Sequence, residues 1–554
     1  MNLTTAQTDR AIGALLGTAV GDALGAGYEF KSRVPYTQPI TMCGSGTFRP
    51  GEWTDDTAMA YAIAEVAATG IDLRTEEAQD QIIEKWFAWS ETAKDIGIQT
   101  SSVFHSMNAP TATEARTAAR RFHDTHQQRS AGNGSLMRTA PVALACLDDP
   151  TALVEAAMSI SALTHFDPAA GEACALWCLA IRHAVLHGEL VGPSVGIDYL
   201  PVESRDYWRG IIAEAESKQS WEFPNNGWVV TAFQAAWSAI VHTAVPANRP
   251  ELGVFPAQQF SAGVERAVRA GDDADTVAAI AGGLLGARWG QSAIPSSWQA
   301  IVHGYPTATA ADLVRLAVTI ARRPDEQSWP NVERMKRPKP DADLYMSSYV
   351  ENLFMGEQKA LGVSDRPFDA VVSLCRIGTD ESPVAHPHQL TVRVMDAVDP
   401  AENPNLDFVY FDVARHMEGW LSAGRRVFLH CVHTHNRTPS FLAAYLMYVQ
   451  GFSREEALAE VSMSLPLANP NGYLLERLSA ITPGRITAES KHGELEFYAD
   501  DSSAPTVVLA EAHGVTLQRK GGVWVEADAT LREFEKADAA VVALFDEREM
   551  SRAL

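Results

Sequence analysis

From residue 8 to about 322, apolar residues recur at helical spacing. TAMAYAIAEVAA, ALVEAAMSISAL, GEACALWCLAIRHAVL, TAFQAAWSAIVHTAV and DTVAAIAGGLLGARWG repeat small apolar side chains three and four positions apart. Alanine has the highest helix propensity, and alternating strand patterns are few here, so the region is predicted to be all-α. Within it Gly13, Gly17, Gly21 and Gly25 recur every four residues, as do Gly282, Gly286 and Gly290. Residues four apart share a helix face, so each run predicts a glycine groove. A helical glycine costs about 1 kcal/mol relative to alanine. Close approach of a second backbone would offset that cost, and a loop over 11–27 is the alternative.

The pattern breaks at 323–341, where RPDEQSWPNVERMKRPKPD is proline-rich and charged and predicts a linker. Beyond it FDAVVSL (368–374), QLTVRVM (389–395) and RRVFLH (425–430) predict strands with helices between them, an α/β layout over 342–485. Residues 486–554 carry strand patterns (VVLAEA, and GVTLQRKGGVWVEA with KGG as a turn) and an amphipathic helix, TLREFEKADAAVVALFDERE. They predict a small α+β module or docking tail. The expected chain is multidomain: an all-α domain 1–322, a linker 323–341, an α/β domain 342–485 and a tail 486–554.

An apolar fraction of 46% and a charged fraction of 21% are those of a globular protein with large cores. The net charge of -24 argues against binding nucleic acid or anionic membranes. An anionic substrate stays open, because a cation or a local arginine reverses the field inside one site. MNLTTAQTDR lacks a basic segment followed by an apolar core and predicts no signal peptide. The glycine-rich run after it contains Asp22, which argues against a membrane span. Six cysteines without a CxxC pair predict a reducing, cytoplasmic setting.

Chemistry gathers first at GEWTDDTAMA, residues 51–60, where Asp55 and Asp56 stand side by side. Helix capping explains it alone: Thr54 is a good N-cap, and acids in a first turn complement the helix dipole. GDDADT at 271–276 repeats the arrangement ahead of another apolar helix. Two such clusters suggest acids facing one interior point, where a hard cation is the usual compensation. Asp55, Asp56, Asp273 and Asp275 with the hydroxyls of Thr54 and Thr276 make an all-oxygen set. That set suits Mg²⁺, Mn²⁺ or Ca²⁺ better than Zn²⁺, and it could hold two ions.

GALLGTAVGDALGAGYEF (13–30), WTDDTAMA (53–60), GNGSLMRTAPVAL (132–144), LTHFDPAAGEA (163–173), NNGWVVTAFQAAW (225–237) and GDDADTVAAIAGGLLGA (271–287) follow one another in the order of a known family. The region resembles the ADP-ribosylglycohydrolases. The resemblance implies an all-α fold with a binuclear Mg²⁺ site that cleaves the bond at C1″ of an ADP-ribosyl group on a protein or small molecule. It implies Thr54, Asp55, Asp56, Asp273, Asp275 and Thr276 as metal ligands, with Glu29 near the scissile bond. Asp22 either supports that loop or touches substrate. Asn133, Gly134, Ser135, Met137 and Arg138 would cradle the ribose and diphosphate. His165 lies near the nucleotide or is a helix-start histidine bonded to backbone, and Trp228 stacks on adenine or belongs to the core.

In the α/β region, HCVHTHNRT (430–438) lies between a strand and a helix. Backbone amides at a helix N-terminus form an anion nest and favour a thiolate at Cys431. Arg437 could grip phosphate oxygens and Thr438 could stabilise the leaving thiolate. The stretch 342–480 resembles the Cys-based dual-specificity phosphatases, which implies a phosphorylated substrate. The general acid would be Asp396, at the end of VRVMD, with Asp399 the second choice. One position departs from that family, which commonly has glycine three residues after the cysteine; here it is Thr434. A β-branched residue is unfavourable if that position needs positive φ. The leading expectation is an ADP-ribosyl hydrolase with a second cysteine site. The alternatives are a phosphatase as the main activity or a non-catalytic binder of ADP-ribose or phosphate.

Overall fold

The computed structural model describes residues 2–127, 129–322, 344–362, 368–377 and 382–481, with five strands between 486 and 526. The expected linker and the amphipathic helix of the tail lie outside the described residues. The N-terminal region is all-α apart from a two-residue ladder between His303–Gly304 and Ala308–Thr309. Its first helix, α1 (Thr5–Gly25), opens with a capping box between Thr4 and Gln7 and is buried throughout from Ala11 to Gly25. The alternative of a loop over 11–27 therefore falls.

The glycine runs explain how α1 can be so deeply enclosed. It packs along a second central helix, α5 (Ala274–Trp289), with backbone against backbone. A Cβ on Gly17 would overlap the carbonyl oxygen of Gly282, and one on Gly13 that of Gly286. Gly21 meets Ala278, and Gly25 meets Asp275 at the start of α5. Around this pair stand α2 (Asp55–Ala67), α3 (Pro168–His187) and α4 (Val229–Val241), whose alanine-rich faces fill one large core. By length and composition α3 alone among the described helices could cross a membrane, and most of it is buried in this core.

The C-terminal region is mixed α/β. Its sheet runs β1 (Leu344–Met346), β2 (Leu353–Glu357), β5 (Val427–Cys431), β3 (Ala370–Ser373), β4 (Gln389–Thr391) in spatial order. The β1–β2 pair is antiparallel and the rest are parallel. Parallel strands need both faces covered, which fits the uninterrupted burial of β3 and β5. The strand expected over 389–395 ends at Thr391. The Val394 carbonyl is taken by the Arg437 guanidinium, and Met395 is held through both its amide and its carbonyl by Asn403, so the chain leaves the ladder. In the tail the strands form an antiparallel sheet in which Lys520 pairs with Val523; Gly521 and Gly522 of the expected turn lie outside the described residues.

The two regions share a packed seam. Phe408, on α6 (Leu406–Ser422), joins the core of the N-terminal region. Phe255 lies edge-on to it and tilted against Phe411, with ring centroids 5.9 and 5.4 Å apart. Polar contacts complete the seam: Asn405 donates to the Trp289 carbonyl and to Ser292, and the Ser296 amide donates to Asp412.

The helix pair should be intolerant of a single methyl group. Gly17→Ala is expected to lower stability by about 1–3 kcal/mol, the usual cost of overpacking, or more because backbone must move. Gly210→Ala, on an exposed helix face with open space around it, is expected to stabilise by about 0.4–1 kcal/mol. Urea unfolding of the two variants beside the parent checks both, and equal effects would contradict the packing argument.

Candidate functional site

The glycine contact brings the end of α1 to the N-termini of α2 and α5, and the acids meet there. Asp22 reaches out of α1 to accept from the amides of Thr54 and Thr57 and from the Thr57 hydroxyl, at 2.9, 3.0 and 2.6 Å. It thereby caps α2 from a neighbouring helix. Thr54 occupies the N-cap position, but its side chain makes no capping bond. Its hydroxyl turns inward instead, 3.0 Å from Asp56 and 3.4 Å from Asp275. The Thr276 hydroxyl also lies 3.4 Å from Asp56. The acids expected from the two sequence clusters are thus drawn together by hydroxyls of the same two motifs.

Two overlapping sets of carboxylates could each hold a divalent cation. Asp22, Asp56 and Asp275 form one, Glu29, Asp273 and Asp275 the other, with oxygens in each within 4.8 Å of one another. Asp275 belongs to both. Asp55 stands outside both sets and accepts from the Gly97 amide at 3.2 Å.

The electrostatics show what this assembly lacks. Burial, reinforced by neighbouring acids, pushes Asp56 and Asp275 far above the usual carboxylate range. Burial likewise raises Asp55 to about 7, with Asp95, Asp22 and Asp273 adding to the shift. Glu29 is raised to about 8 by burial first, then by Asp273, Asp95, Asp55 and Asp22. Asp22 is held to about 6, because its hydrogen bonds oppose burial. Among the described residues, no lysine or arginine figures among the groups that shift Asp22, Glu29, Asp56, Asp273 or Asp275. Asp56 Oδ1 is buried with no hydrogen-bond partner, an oxygen left for a ligand. The donor set, its charge and this orphaned atom all fit a hard divalent cation.

A loop borders the acids. Asn133 donates to Asp273 at 2.8 Å and to the Asn226 carbonyl at 3.0 Å. Asn226 in turn accepts from the Asp273 amide and donates to the Gly271 carbonyl. Asn133, Ser135 and Met137 are buried, with Gly134 beside the His165 ring. Arg138 differs from expectation. It lies beneath the loop rather than in it, 1% exposed, stacked 4.0 Å over Trp86 and donating to Thr164. Its guanidinium is a core support, not a surface for phosphate. His165 is also buried, its Nδ1 2.8 Å from the Thr164 hydroxyl, and burial drives its pKa well down so the ring is neutral. Trp228 is 46% exposed at the start of α4, which excludes a core role and leaves its face free.

Thr57, Asn226, Asp95 and Asp272 were not singled out in the sequence. Thr57 and Asn226 lie within the quoted motifs, so position near the acids was a signal for them. Asp95 acts on Glu29 and Asp55 from a loop with no pattern of its own. Asp272, which takes positive φ, holds the Phe30 amide through its carbonyl at 2.6 Å.

In the C-terminal region the segment after β5 turns into α7 (Arg437–Gln450). Cys431 Sγ, buried, accepts from the Thr434 amide at 3.2 Å. Arg437 is braced by the carbonyls of Leu374 and Val394 at 2.7 and 3.1 Å. Its Nε has no hydrogen-bond partner and lies 3.8 Å from Asp396. Asn436 also donates to Asp396, whereas Asp399 caps a short turn. Thr438 Oγ1 is buried without a hydrogen-bond partner. Thr434 has φ of 60°, the left-handed conformation that a β-branched residue rarely takes.

Residues 3–328 match the family model for ADP-ribosylglycohydrolase. The chain is 28% identical over 297 residues to ADP-ribosylarginine hydrolase Tri1 of Serratia proteamaculans, covering 52% of this chain and 74% of that one. It is 29% identical over 299 residues to ADP-ribosyl-[dinitrogen reductase] glycohydrolase of Rhodospirillum rubrum, covering 52% and 89%. A solved structure of human DUSP28 aligns with 24% identity and a TM-score of 0.23, over 26% of this chain and 95% of that one. With more than half of its length matched by the family model, and with paired carboxylate sets where helices α1, α2 and α5 converge, the chain belongs to the ADP-ribosylglycohydrolase family.

Proposed function

We propose that the N-terminal region removes ADP-ribosyl groups by Mg²⁺-dependent hydrolysis at C1″, with an arginine side chain as the attached group. The convergence of Asp22, Glu29, Asp56, Asp273 and Asp275 carries this reading. The arginine linkage follows the name of the Serratia relative, an ADP-ribosylarginine hydrolase. The two carboxylate sets, with Thr54, Asp55 and Thr276 around them, would hold the cations. When bound there, Mg²⁺ supplies orientation of the ribose hydroxyls and an acidified water.

The protein's own groups do the rest. Glu29, half-buried at the edge of the second carboxylate set, would exchange a proton with the attacking water or the leaving nitrogen. Water oxygen bonds to C1″, the C1″–N bond breaks, and the nitrogen takes up the proton. The cation-like sugar formed on the way is stabilised by the surrounding carboxylates. The backbone amides of Gly134 and Ser135 would offer donors for ribose and diphosphate, and the exposed Trp228 ring a face for adenine.

A second activity is favoured by one observation: a cysteine sulfur receiving an amide at a loop–helix junction, with a braced arginine and an aspartate beside it. We read this as a Cys-based phosphatase site. Cys431 sulfur attacks phosphorus, the P–O bond to the leaving group breaks, and Asp396 gives that oxygen its proton. Water then hydrolyses the thiophosphate, with Asp396 taking a proton back.

ADP-ribose release from ADP-ribosyl-arginine, ADP-ribosyl-serine and ADP-ribose-1″-phosphate, with and without Mg²⁺, tests both halves. Release from the arginine adduct should require Mg²⁺, fall about 10²–10³-fold in Asp275→Asn, and persist in Cys431→Ser. Release only from the 1″-phosphate, abolished in Cys431→Ser, would make the second site the working half. A further outcome concerns Thr434. A non-glycine residue in the left-handed region costs about 1–2 kcal/mol, so Thr434→Gly should not lower the unfolding midpoint and should keep aryl phosphate turnover. A clear loss of stability would show the threonine to be required by packing.

A further inference from the structure

The acid-bearing segment of the second site does not stand on its own region alone. Residues 393–397 leave the sheet; besides the bonds that Arg437 makes to the Val394 carbonyl and Asn436 to Asp396 itself, three side-chain fastenings hold them. Arg393 reaches across the seam, donating to the Thr5 carbonyl at 2.6 Å and pairing with Asp9 at 3.3 Å. Both partners belong to the first turns of α1. Asn403 holds Met395 from both sides at 2.7 and 3.0 Å, and Asn471 donates to the Ala397 carbonyl at 3.2 Å. Between these fastenings lie Val394, whose carbonyl braces Arg437, and Asp396, the proposed proton donor.

The anchorage in α1 is itself rigid. Asp9 is 2% exposed and accepts from the amide and hydroxyl of Ser292 at 3.2 and 2.5 Å. Ser292 also receives Asn405, at the foot of α6. A buried, multiply bonded carboxylate presents a single geometry to its arginine, unlike an exposed pair, which contributes little. Breaking such a pair leaves a buried charge without its partner. Asn403 and Asn471 hold the segment to its own region, so Arg393 is the only one of the three fastenings that crosses to the other.

We propose that Arg393 is a positioning residue for the second site: through Thr5 and Asp9 the N-terminal region fixes the 393–397 segment, so that Asp396 is set to protonate the leaving oxygen. The inference rests on reading Cys431 as a phosphatase nucleophile. It makes the glycohydrolase region a structural part of the phosphatase site and gives a physical reason for the two to share one chain.

Leaving-group dependence separates proton donation from general damage. A poor leaving group such as phenolate needs the acid, whereas dinitrophenolate leaves without it. General acid catalysis contributes roughly 10²–10⁴-fold, and Asp396→Asn sets that scale in the full-length protein. Arg393→Ala and Asp9→Asn are expected to lower kcat for phenyl phosphate at least about 10-fold. They should leave kcat for 2,4-dinitrophenyl phosphate and both KM values nearly unchanged, with Arg393→Lys recovering part of the loss. Circular dichroism and Mg²⁺-dependent ADP-ribose release confirm that Arg393→Ala is folded. If Arg393→Ala is folded and both substrates slow by the same factor, or neither slows, Arg393 has no positioning role. If Arg393→Ala does not fold, Arg393→Lys decides by the same ratio. If the parent protein hydrolyses neither phosphate ester, the phosphatase reading fails, and this inference with it.

Discussion

The contact of two bare helix backbones organises this protein. Along α1 and α5 the glycines remove side chains that would hold the helices apart, and at Gly13, Gly17, Gly21, Gly282 and Gly286 a carbonyl oxygen of the facing helix occupies the space where a Cβ would stand. Each glycine gives up helix propensity, about 1 kcal/mol against alanine. The return is proximity: the end of α1 and the start of α5 come together in the core, and α2 is capped by Asp22 from α1. Asp22 and Asp275 could not share a small volume if ordinary side chains separated their helices.

From that proximity follows an electrostatic debt. Carboxylates from three helix ends converge in a largely buried place, and burial and mutual repulsion push their pKa values upward together. Hydroxyls and amides offset part of it, as at Asp22, but none of these partners carries positive charge. The site therefore favours cations, and an acidic chain can still hold an anionic ligand through them. Structural and functional roles overlap here, since Asp22 both caps a helix and belongs to a carboxylate set.

The same central helix extends its influence to the opposite end. Asp9, near the start of α1, and Asp22, near its finish, belong to one buried rod. One end organises the carboxylates and the other holds Arg393 and Ser292 at the seam. The carboxylate sets and the Arg393 anchorage are thus attached to opposite ends of a single helix.

Much of the N-terminal region was legible because its signals are local and redundant. Glycines every four residues select a helix face whatever lies beyond it, and paired acids before apolar helices are recognisable from composition alone. The order of the motifs pointed to the family, and the spacing of Cys431 and Arg437 placed them at the strand–helix junction where the fold has them. The shortened strand after 391 was not legible, because VRVM has strand propensity and bonds to Arg437, Asn403 and the start of α1, all remote in sequence or set by the fold, draw it away. Nor was the burial of Arg138, since an arginine in a loop motif reads as a ligand until Trp86 is seen beneath it. Propensity and spacing depend on neighbours in the chain, and those the sequence determined by itself. Which carboxylate caps a helix, which threonine takes a strained conformation and which arginine crosses to another region depend on partners up to hundreds of residues away. Tertiary structure alone decided these, because hydrogen bonds and burial energies act over ångströms in space and take no account of distance along the chain.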